Sequence, residues 1–157
     1  SQYSTRSRIE KSVFFGSKWL VGDTDSANLD YIDIDSDTEA GAEISAQMIS
    51  GPLKEFPRRQ RVDRADFDFT VGIGKTTGTD PMQTDPEALI EVSYDGGKTW
   101  PYSWERKLGK EGKTYRRVYV LNAGLTGDEG ARWRWTVSDP VHVGFLGGDV
   151  DTKVHSK

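Results

Sequence analysis

A strict two-residue alternation near the middle of the chain constrains the fold more than any other feature of the sequence. Phe67, Phe69, Val71 and Ile73 alternate with Asp66, Asp68, Thr70 and Gly72. Because successive side chains of a β-strand point to opposite faces, this pattern predicts a strand with one buried face and one face in water. No window of a dozen residues places apolar side chains at helical spacing. The chain is therefore expected to fold from strands.

About nine short segments have the composition of strands, separated by Gly, Pro, Asp and Asn residues. They are Trp19–Val21, Leu29–Asp35, Ala42–Ile49, Phe67–Ile73, Ala88–Ser93, Tyr102–Lys107, Tyr115–Leu121, Trp133–Val137 and Val141–Phe145. Residues 74–86 form the longest polar break and are predicted to be an exposed loop. No crossover helix is visible in the sequence, which argues against a parallel α/β fold. We predict an all-β fold, either an antiparallel β-sandwich-like domain or a propeller-like assembly.

The length of 157 residues suits one domain together with part of a second one. We predict a flexible arm or linker over residues 1–12 and, over residues 13–38, strands that remain from a preceding β region such as a propeller. An antiparallel β-domain is predicted over residues 39–150 and a tail over residues 151–157. The chain begins with Ser instead of Met, which suggests a processed chain or an expressed fragment.

The composition excludes several classes of function. The chain has no cysteine, so it has no disulfide, no thiolate metal site and no cysteine nucleophile. Its apolar runs are only a few residues long, which predicts no membrane span and no signal peptide. The net charge of −4 gives no bulk electrostatic basis for nucleic-acid binding, and we expect no direct sequence-specific contact with nucleic acid.

The charged residues are nevertheless segregated along the chain. Residues 19–45 contain eight acidic and no basic side chains, whereas residues 54–64 contain five basic and two acidic ones. Residues 105–117 contain six basic and two acidic side chains. Such patches either form solvated surfaces or complement copies of the chain or a partner. Arg58, Arg59 and Arg61 are the candidate subunit or partner contacts.

No catalytic or metal-binding motif is complete. The acidic run that starts at Asp33 would need Gly at position 38 and Glu at position 44 to be an EF-hand loop, but it has Thr38 and Ile44. His142 and His155 do not have the spacing of a metal site, and His142 is predicted to point outward from a strand. A phosphate loop ending at Lys75 lacks its first glycine. These patterns predict no metal and no cofactor and single out no catalytic residue, whereas acidic pairs for glycoside hydrolysis, which meet in space and not in sequence, stay open.

The most informative motif is Ser-Tyr-Asp-Gly-Gly-Lys-Thr-Trp at residues 93–100, which matches the Asp-box pattern S-x-D-x-G-x-T-W. Its fixed residues are Ser93, Asp95, Gly97, Thr99 and Trp100. Asp95 is expected to bond the turn backbone, the glycines to adopt positive φ, and Trp100 to anchor the turn by packing beneath it. The motif predicts a tight structural turn and carries little information about function.

The order of motifs from Trp19 to Val150 resembles the C-terminal part of the packaged-DNA stabilisation proteins, the tail accessory or hub proteins of P22-like short-tailed phages. The segments that carry the resemblance are Trp19–Asp23, Leu29–Asp33, Ile49–Pro52, Val71–Gly74, Ile90–Trp100, Leu108–Val118 and Arg132–Val141. Its most specific parts are SYDGGKTW, LGKEGKTY and the closing SDPV in this order. Insertions such as residues 75–86 depart from the family pattern.

The resemblance implies a structural virion protein that is not an enzyme and has no catalytic residues. Such hubs form a ring, expected to be a hexamer, beneath the portal and its adaptor. They help to close the channel, retain the packaged DNA and carry tailspikes and a needle. The implied location is the virion tail, assembled in the cytoplasm of the bacterial host.

Two other classes of function stay open. One Asp box together with Trp100, Tyr102 and Trp104 is compatible with a carbohydrate-binding or sialidase-like module, which would need a pocket with stacked aromatic rings and paired carboxylates. The acidic run is compatible with an adhesion-type sandwich that binds calcium.

Overall fold

A computed structural model describes residues 9–36, 38–39, 42–77 and 79–155 of the chain, which divides into two compact units, residues 1–36 and residues 37–157. The strands in the described residues are β1 (Ile9–Phe15), β2 (Lys18–Asp23), β3 (Leu29–Tyr31), β4 (Thr38–Glu39), β5 (Ala42–Glu43), β6 (Ala46–Ile49), β7 (Arg59–Phe69), β8 (Glu87–Ser93), β9 (Tyr102–Lys107), β10 (Val118–Leu125), β11 (Arg132–Val137) and β12 (Phe145–His155). The four-residue helix α1 (Pro81–Thr84) stands between β7 and β8.

The first unit is an antiparallel sheet in the order β1-β2-β3. Gly16 and Ser17 connect β1 to β2 with φ angles of 55° and 67°. Two successive positive φ angles are those of a type I′ turn, whose twist matches the twist of the strands it joins. Val21 in the central strand β2 is the buried apolar side chain of this sheet among the described residues.

The second unit is a sandwich-like arrangement of two antiparallel sheets, with the orders β10-β7-β12 and β6-β11-β8-β9; the short strands β4 and β5 pair separately. The core lies between the two sheets. Phe67 of β7 makes edge contacts with Trp133 and Trp135 of β11, with ring centroids 5.2 and 5.3 Å apart. The predicted all-β, antiparallel sandwich-like fold is confirmed.

A bulge at Asp63 explains how the long strand β7 keeps one face in the core. Val62 and Ala65 are both buried although they are three residues apart, which a regular strand does not allow. Arg64 pairs with Asp151 of β12 and Val62 with Thr152, so Asp63 is the extra residue. The bulge resets the alternation and aligns Val62 with Ala65, Phe67 and Phe69.

Several predicted strand boundaries were wrong. The alternating segment was predicted to be a strand up to Ile73, but strand β7 covers Arg59–Phe69. After Phe69 the backbone N–H groups of Thr70 and Gly72 donate to the carbonyls of Gly144 and Leu108 instead of a strand partner. The third segment is divided into β5 and β6, and Tyr115–Leu121 is replaced by Val118–Leu125. Helix α1 interrupts the predicted 74–86 loop, where the Asp80 carboxylate caps it and Pro81 starts it.

The two ends of the chain also differ from the prediction. β1 begins at Ile9, inside the segment predicted as an arm, while residues 1–8 lie outside the described residues. Residues 141–144 are not a strand, and His142 is exposed in a loop. β12 instead starts at Phe145 and continues to His155 through most of the predicted tail, because it pairs with β7 along its full length. The first compact unit ends at Ser36, and the assignment of residues 13–38 to a preceding β region stays a prediction.

Candidate functional site

The Asp-box turn connects β8 to β9 and is closed by side chain–backbone hydrogen bonds. The Ser93 hydroxyl donates to Asp95 Oδ1 at 2.7 Å and accepts from the Gly97 N–H at 2.9 Å. Asp95 Oδ1 also accepts from the N–H groups of Lys98 and Thr99, at 3.0 and 2.9 Å. The Thr99 hydroxyl donates to Asp95 Oδ2 at 2.5 Å. Both carboxylate oxygens of Asp95 are therefore engaged within the turn.

These hydrogen bonds keep Asp95 ionised. The Thr99 hydroxyl and the Thr99 N–H, followed by the Ser93 hydroxyl, hold the pKa of the Asp95 carboxyl well below its usual range. Gly96 and Gly97 take φ angles of 79° and 94°, which other residues adopt only with strain. Every fixed polar group of the motif serves the turn itself, so its geometry is that of a structural element.

The last residue of the motif, Trp100, makes a cation–π contact with Arg134. The guanidinium of Arg134 lies 4.2 Å from the centroid of the Trp100 ring. Arg134 also donates two hydrogen bonds to the Glu91 carboxylate, at 2.6 and 2.7 Å. This arrangement is a cation–π contact on a bidentate ion pair, and it ties the turn to neighbouring strands β8 and β11.

The three arginines singled out in the sequence do not form one cluster of free cations. Arg59 donates to Asp128 at 3.1 Å, and Arg61 forms an ion pair with Asp63 at 3.0 Å. Arg58 is exposed, and its backbone N–H donates to the carbonyl of Glu55 at 2.7 Å. Asp63 and Asp128 both lie outside the acidic segment 19–45. The prediction that these arginines contact a partner stays a prediction.

The aromatic residues that suggested a carbohydrate site have different environments. Tyr102 is half exposed, and its ring stacks on that of Trp104 with the ring centroids 6.5 Å apart. Trp104 in turn packs on the buried Trp133. A separate open groove of about 320 Å³ is lined by Arg61, Asn122, Gly124 and Leu125. These described lining residues include neither a carboxylate nor an aromatic ring, whereas glycoside hydrolysis uses a pair of carboxylates.

The N-terminal sheet presents a surface that the sequence motifs did not identify. Strand register and alternation place Phe14, Trp19, Val21, Asp30 and Ile32 on one face, called here the Trp19 face. The rings of Phe14 and Trp19 are 5.4 Å apart, and the Ile32 N–H donates to the Trp19 carbonyl at 2.9 Å. The opposite face, called the lysine face, contains Lys11, Val13, Phe15, Lys18, Leu20, Leu29 and Tyr31.

Large apolar side chains are exposed on both faces of this sheet. On the Trp19 face, Phe14 is 60% exposed and Trp19 and Ile32 are each 51% exposed. On the lysine face, Phe15 is 73% exposed and Leu29 is 69% exposed. The sequence shows apolar residues on both faces of β1, since the neighbours Val13, Phe14 and Phe15 must alternate between the faces of a strand, but it does not show whether a second layer covers them.

Residues 110–117, called here the basic loop, form an exposed, positively charged surface between β9 and β10. The loop contains Lys110, Lys113, Arg116 and Arg117 against one acidic residue, Glu111, which accepts a hydrogen bond from the Thr76 hydroxyl. Tyr115 is 76% exposed and lies beneath the Lys113 ammonium, 5.7 Å from the ring centroid. The loop therefore offers cations and an aromatic ring to solvent.

The described residues contain no group of three or more histidine, aspartate or glutamate side chains that could hold a metal ion. In the acidic run that starts at Asp33, the Asp33 carboxylate accepts a hydrogen bond from the backbone N–H of Asp35 in a local turn, and Asp37 lies outside the described residues. The one helix among the described residues, α1, has four residues, so no described helix is long enough to cross a membrane.

The sequence matches no protein-family model and none of the curated proteins compared with it.

Proposed function

We propose that this chain is a structural assembly protein, part of the tail hub of a short-tailed phage. In this role, copies of the protein form a ring, expected to be a hexamer, that closes the portal channel and retains packaged DNA. The ring links the portal adaptor to the tailspikes and the needle. The chain acts through rigid β-structure and surface contacts, without catalysis.

The observation that carries the proposal is the N-terminal sheet with large apolar side chains exposed on both faces. Contiguous exposed apolar surface on a soluble protein marks a site of interaction with other protein. A hub component needs such surfaces, because it contacts copies of itself and several other tail proteins at once. The resemblance over Trp19–Val150 supplies the identity of the assembly.

Deletion of the gene from its native genome tests the proposal. We expect particles that do not retain DNA and are not infectious, with the loss measured as nuclease-accessible genome and plaque titre. Mass spectrometry of purified wild-type particles should detect the protein in several copies. Infectious, DNA-filled particles from the deletion, or absence of the protein from purified particles, would contradict the proposal.

Reversal of Arg58, Arg59 and Arg61 to Glu in the full-length protein tests the predicted contact surface. Because the Arg59 and Arg61 side chains are each 54% exposed and Asp63 keeps a second ion pair with Lys153, loss of the two arginines should change folding stability little. The variant should therefore fold but impair tail assembly, whereas Lys98→Glu, at an exposed position of the Asp-box turn, should leave assembly intact. Normal assembly of the triple variant removes these residues from the interface.

A further inference from the structure

We infer that the Trp19 face of one copy binds the basic loop of a second copy. This inference rests on the proposed function for the arrangement of the copies in a ring. It names the two surfaces that meet and the chemistry of their contact.

The Trp19 face requires a covering partner. A three-stranded sheet is stable in water when one hydrophobic face is packed, but Val21 is the buried apolar residue here among those described. Phe14, Trp19 and Ile32 remain about half exposed or more, side by side across the three strands. Covering them would remove a contiguous apolar surface from water.

The charges distinguish this face from the other one. Asp30 lies on the Trp19 face in the edge strand β3, opposite Val21. Asp33 and Asp35 are exposed and follow Ile32 in the chain. The two lysines of the sheet, Lys11 and Lys18, belong to the opposite face, and Lys18 lies 3.9 Å above the Tyr31 ring there. The Trp19 face thus combines aromatic rings with the Asp30 carboxylate, and the exposed carboxylates of Asp33 and Asp35 follow it in the chain, which favours a cationic partner.

The basic loop has the matching chemistry. A guanidinium or ammonium group binds the face of an aromatic ring while its aliphatic stem covers apolar surface. Arg116 and Arg117 are exposed beside Tyr115 and can supply this contact to Phe14 and Trp19. The same molecule already uses this chemistry elsewhere, at Lys18 over Tyr31, Arg64 over Tyr119 and Arg134 over Trp100.

The occupant is a second copy because both complementary surfaces belong to one sequence. A contact between two different patches of identical chains is heterologous, and it generates a closed ring when the rotation between copies closes. The opposite charges would also orient the copies as they approach each other.

Two charge-reversal variants of the full chain test this pairing by analytical ultracentrifugation. The loop variant carries Lys113→Glu and Arg116→Glu, and the face variant carries Asp30→Lys and Asp35→Lys. We expect the wild-type chain to self-associate at an ionic strength of about 0.05 M and to dissociate near 0.5 M, where charges are screened. Each variant alone should associate about tenfold or more weakly, because like charges then oppose each other.

An equimolar mixture of the two variants is the decisive measurement. The acidic loop of one variant then faces the basic sheet of the other, so association should return. Pairing within one chain cannot give this result. Lys54→Glu with Lys98→Glu, two exposed lysines outside both surfaces, is the matched control and should associate like the wild type. Trp19→Ser should weaken association without a change of charge, whereas Leu146→Ser at another exposed site should not.

The inference is overturned if the wild-type chain is monomeric throughout, if the variants associate as the wild type does, or if the mixture stays dissociated. A monomeric chain whose basic loop instead binds single-stranded oligonucleotide also overturns it. Because these measurements use the isolated chain, they are independent of the particle experiments. If the mixture associates but particles without the protein still retain DNA and infect, only the proposed function is rejected. If the mixture stays dissociated but particles need the protein, only this pairing is rejected.

Discussion

Residues 9–36 and residues 42–155 are both built of antiparallel strands, yet they bury their apolar side chains to very different extents. In the sandwich, Trp133 and Ile90 are 1% and 0% exposed. In the N-terminal sheet, the aromatic residues Phe14 and Phe15 are 60% and 73% exposed. Strand composition alone therefore does not produce a core. A core needs a second layer, which the described residues supply for the sandwich strands only.

The largest effect should come from removing an aromatic ring from the sandwich core. Trp133→Ala should lower the free energy of unfolding by about 3–5 kcal/mol, because Trp133 is almost fully buried and packs on Phe67 and Trp104. Trp19→Ala in the N-terminal sheet should change it by no more than about 0.5 kcal/mol in the isolated chain. Urea denaturation followed by circular dichroism measures both. Equal effects would contradict the comparison between the two regions.

A smaller effect is expected from the ion pair beneath Trp100. Arg134→Met leaves the carboxylate of Glu91, whose side chain is only 11% exposed, without its bidentate partner and should cost about 2–4 kcal/mol. Adding Glu91→Gln should recover part of this loss, since no unpaired charge then remains buried. Arg59→Met is the exposed counterpart, and loss of its pair with Asp128 should cost below about 0.5 kcal/mol. Similar losses in both variants would refute a role for burial.

The smallest effect should come from the acidic turns, and it should depend on pH. The pKa of Asp95 is lower in the folded chain than in the unfolded chain, so its contribution to stability is present above about pH 4. That contribution is lost as the pH falls through the lower, folded pKa. Asp95→Asn should therefore lower the thermal midpoint at pH 7, and the difference from the wild type should shrink in acid.

Asp33→Asn in the N-terminal unit is the matched control, because Asp33 accepts one backbone hydrogen bond in an exposed turn. It should leave the thermal midpoint of the sandwich unchanged at every pH. A pH-independent deficit in the Asp95 variant would show that the ionised carboxylate is not what stabilises its turn.

The features that were predictable from the sequence depend on neighbours in the chain. The alternation at Phe67 and Phe69 and at Trp133 and Trp135 correctly identified the residues that face the core. The Asp-box bonds all join residues within seven positions of each other. β12 was missed because it has few apolar residues, and its pairing with β7 creates a strand that its own sequence does not indicate.

The candidate interaction surfaces were only partly predictable. The basic composition of residues 105–117 was visible, but the exposure of residues 110–117 was not. Arg59 and Arg61 were selected as candidate subunit or partner contacts, and the sequence did not show that the fold brings Asp128 and the bulged Asp63 to them. The Trp19 face could not be identified, because apolar residues on both faces of a strand have the same pattern whether or not a second layer covers them.

By itself, the sequence determined the all-β class, the alternation that selects the core faces and the geometry of the Asp-box turn, since each of these depends on local spacing and local hydrogen bonds. Only the tertiary structure decided which strands acquired a covering layer, where the bulge at Asp63 realigned β7, and which charges were paired. Burial and ion pairing join residues far apart in the chain, such as Arg59 and Asp128 or Phe67 and Trp133. Such contacts depend on the path of the whole backbone.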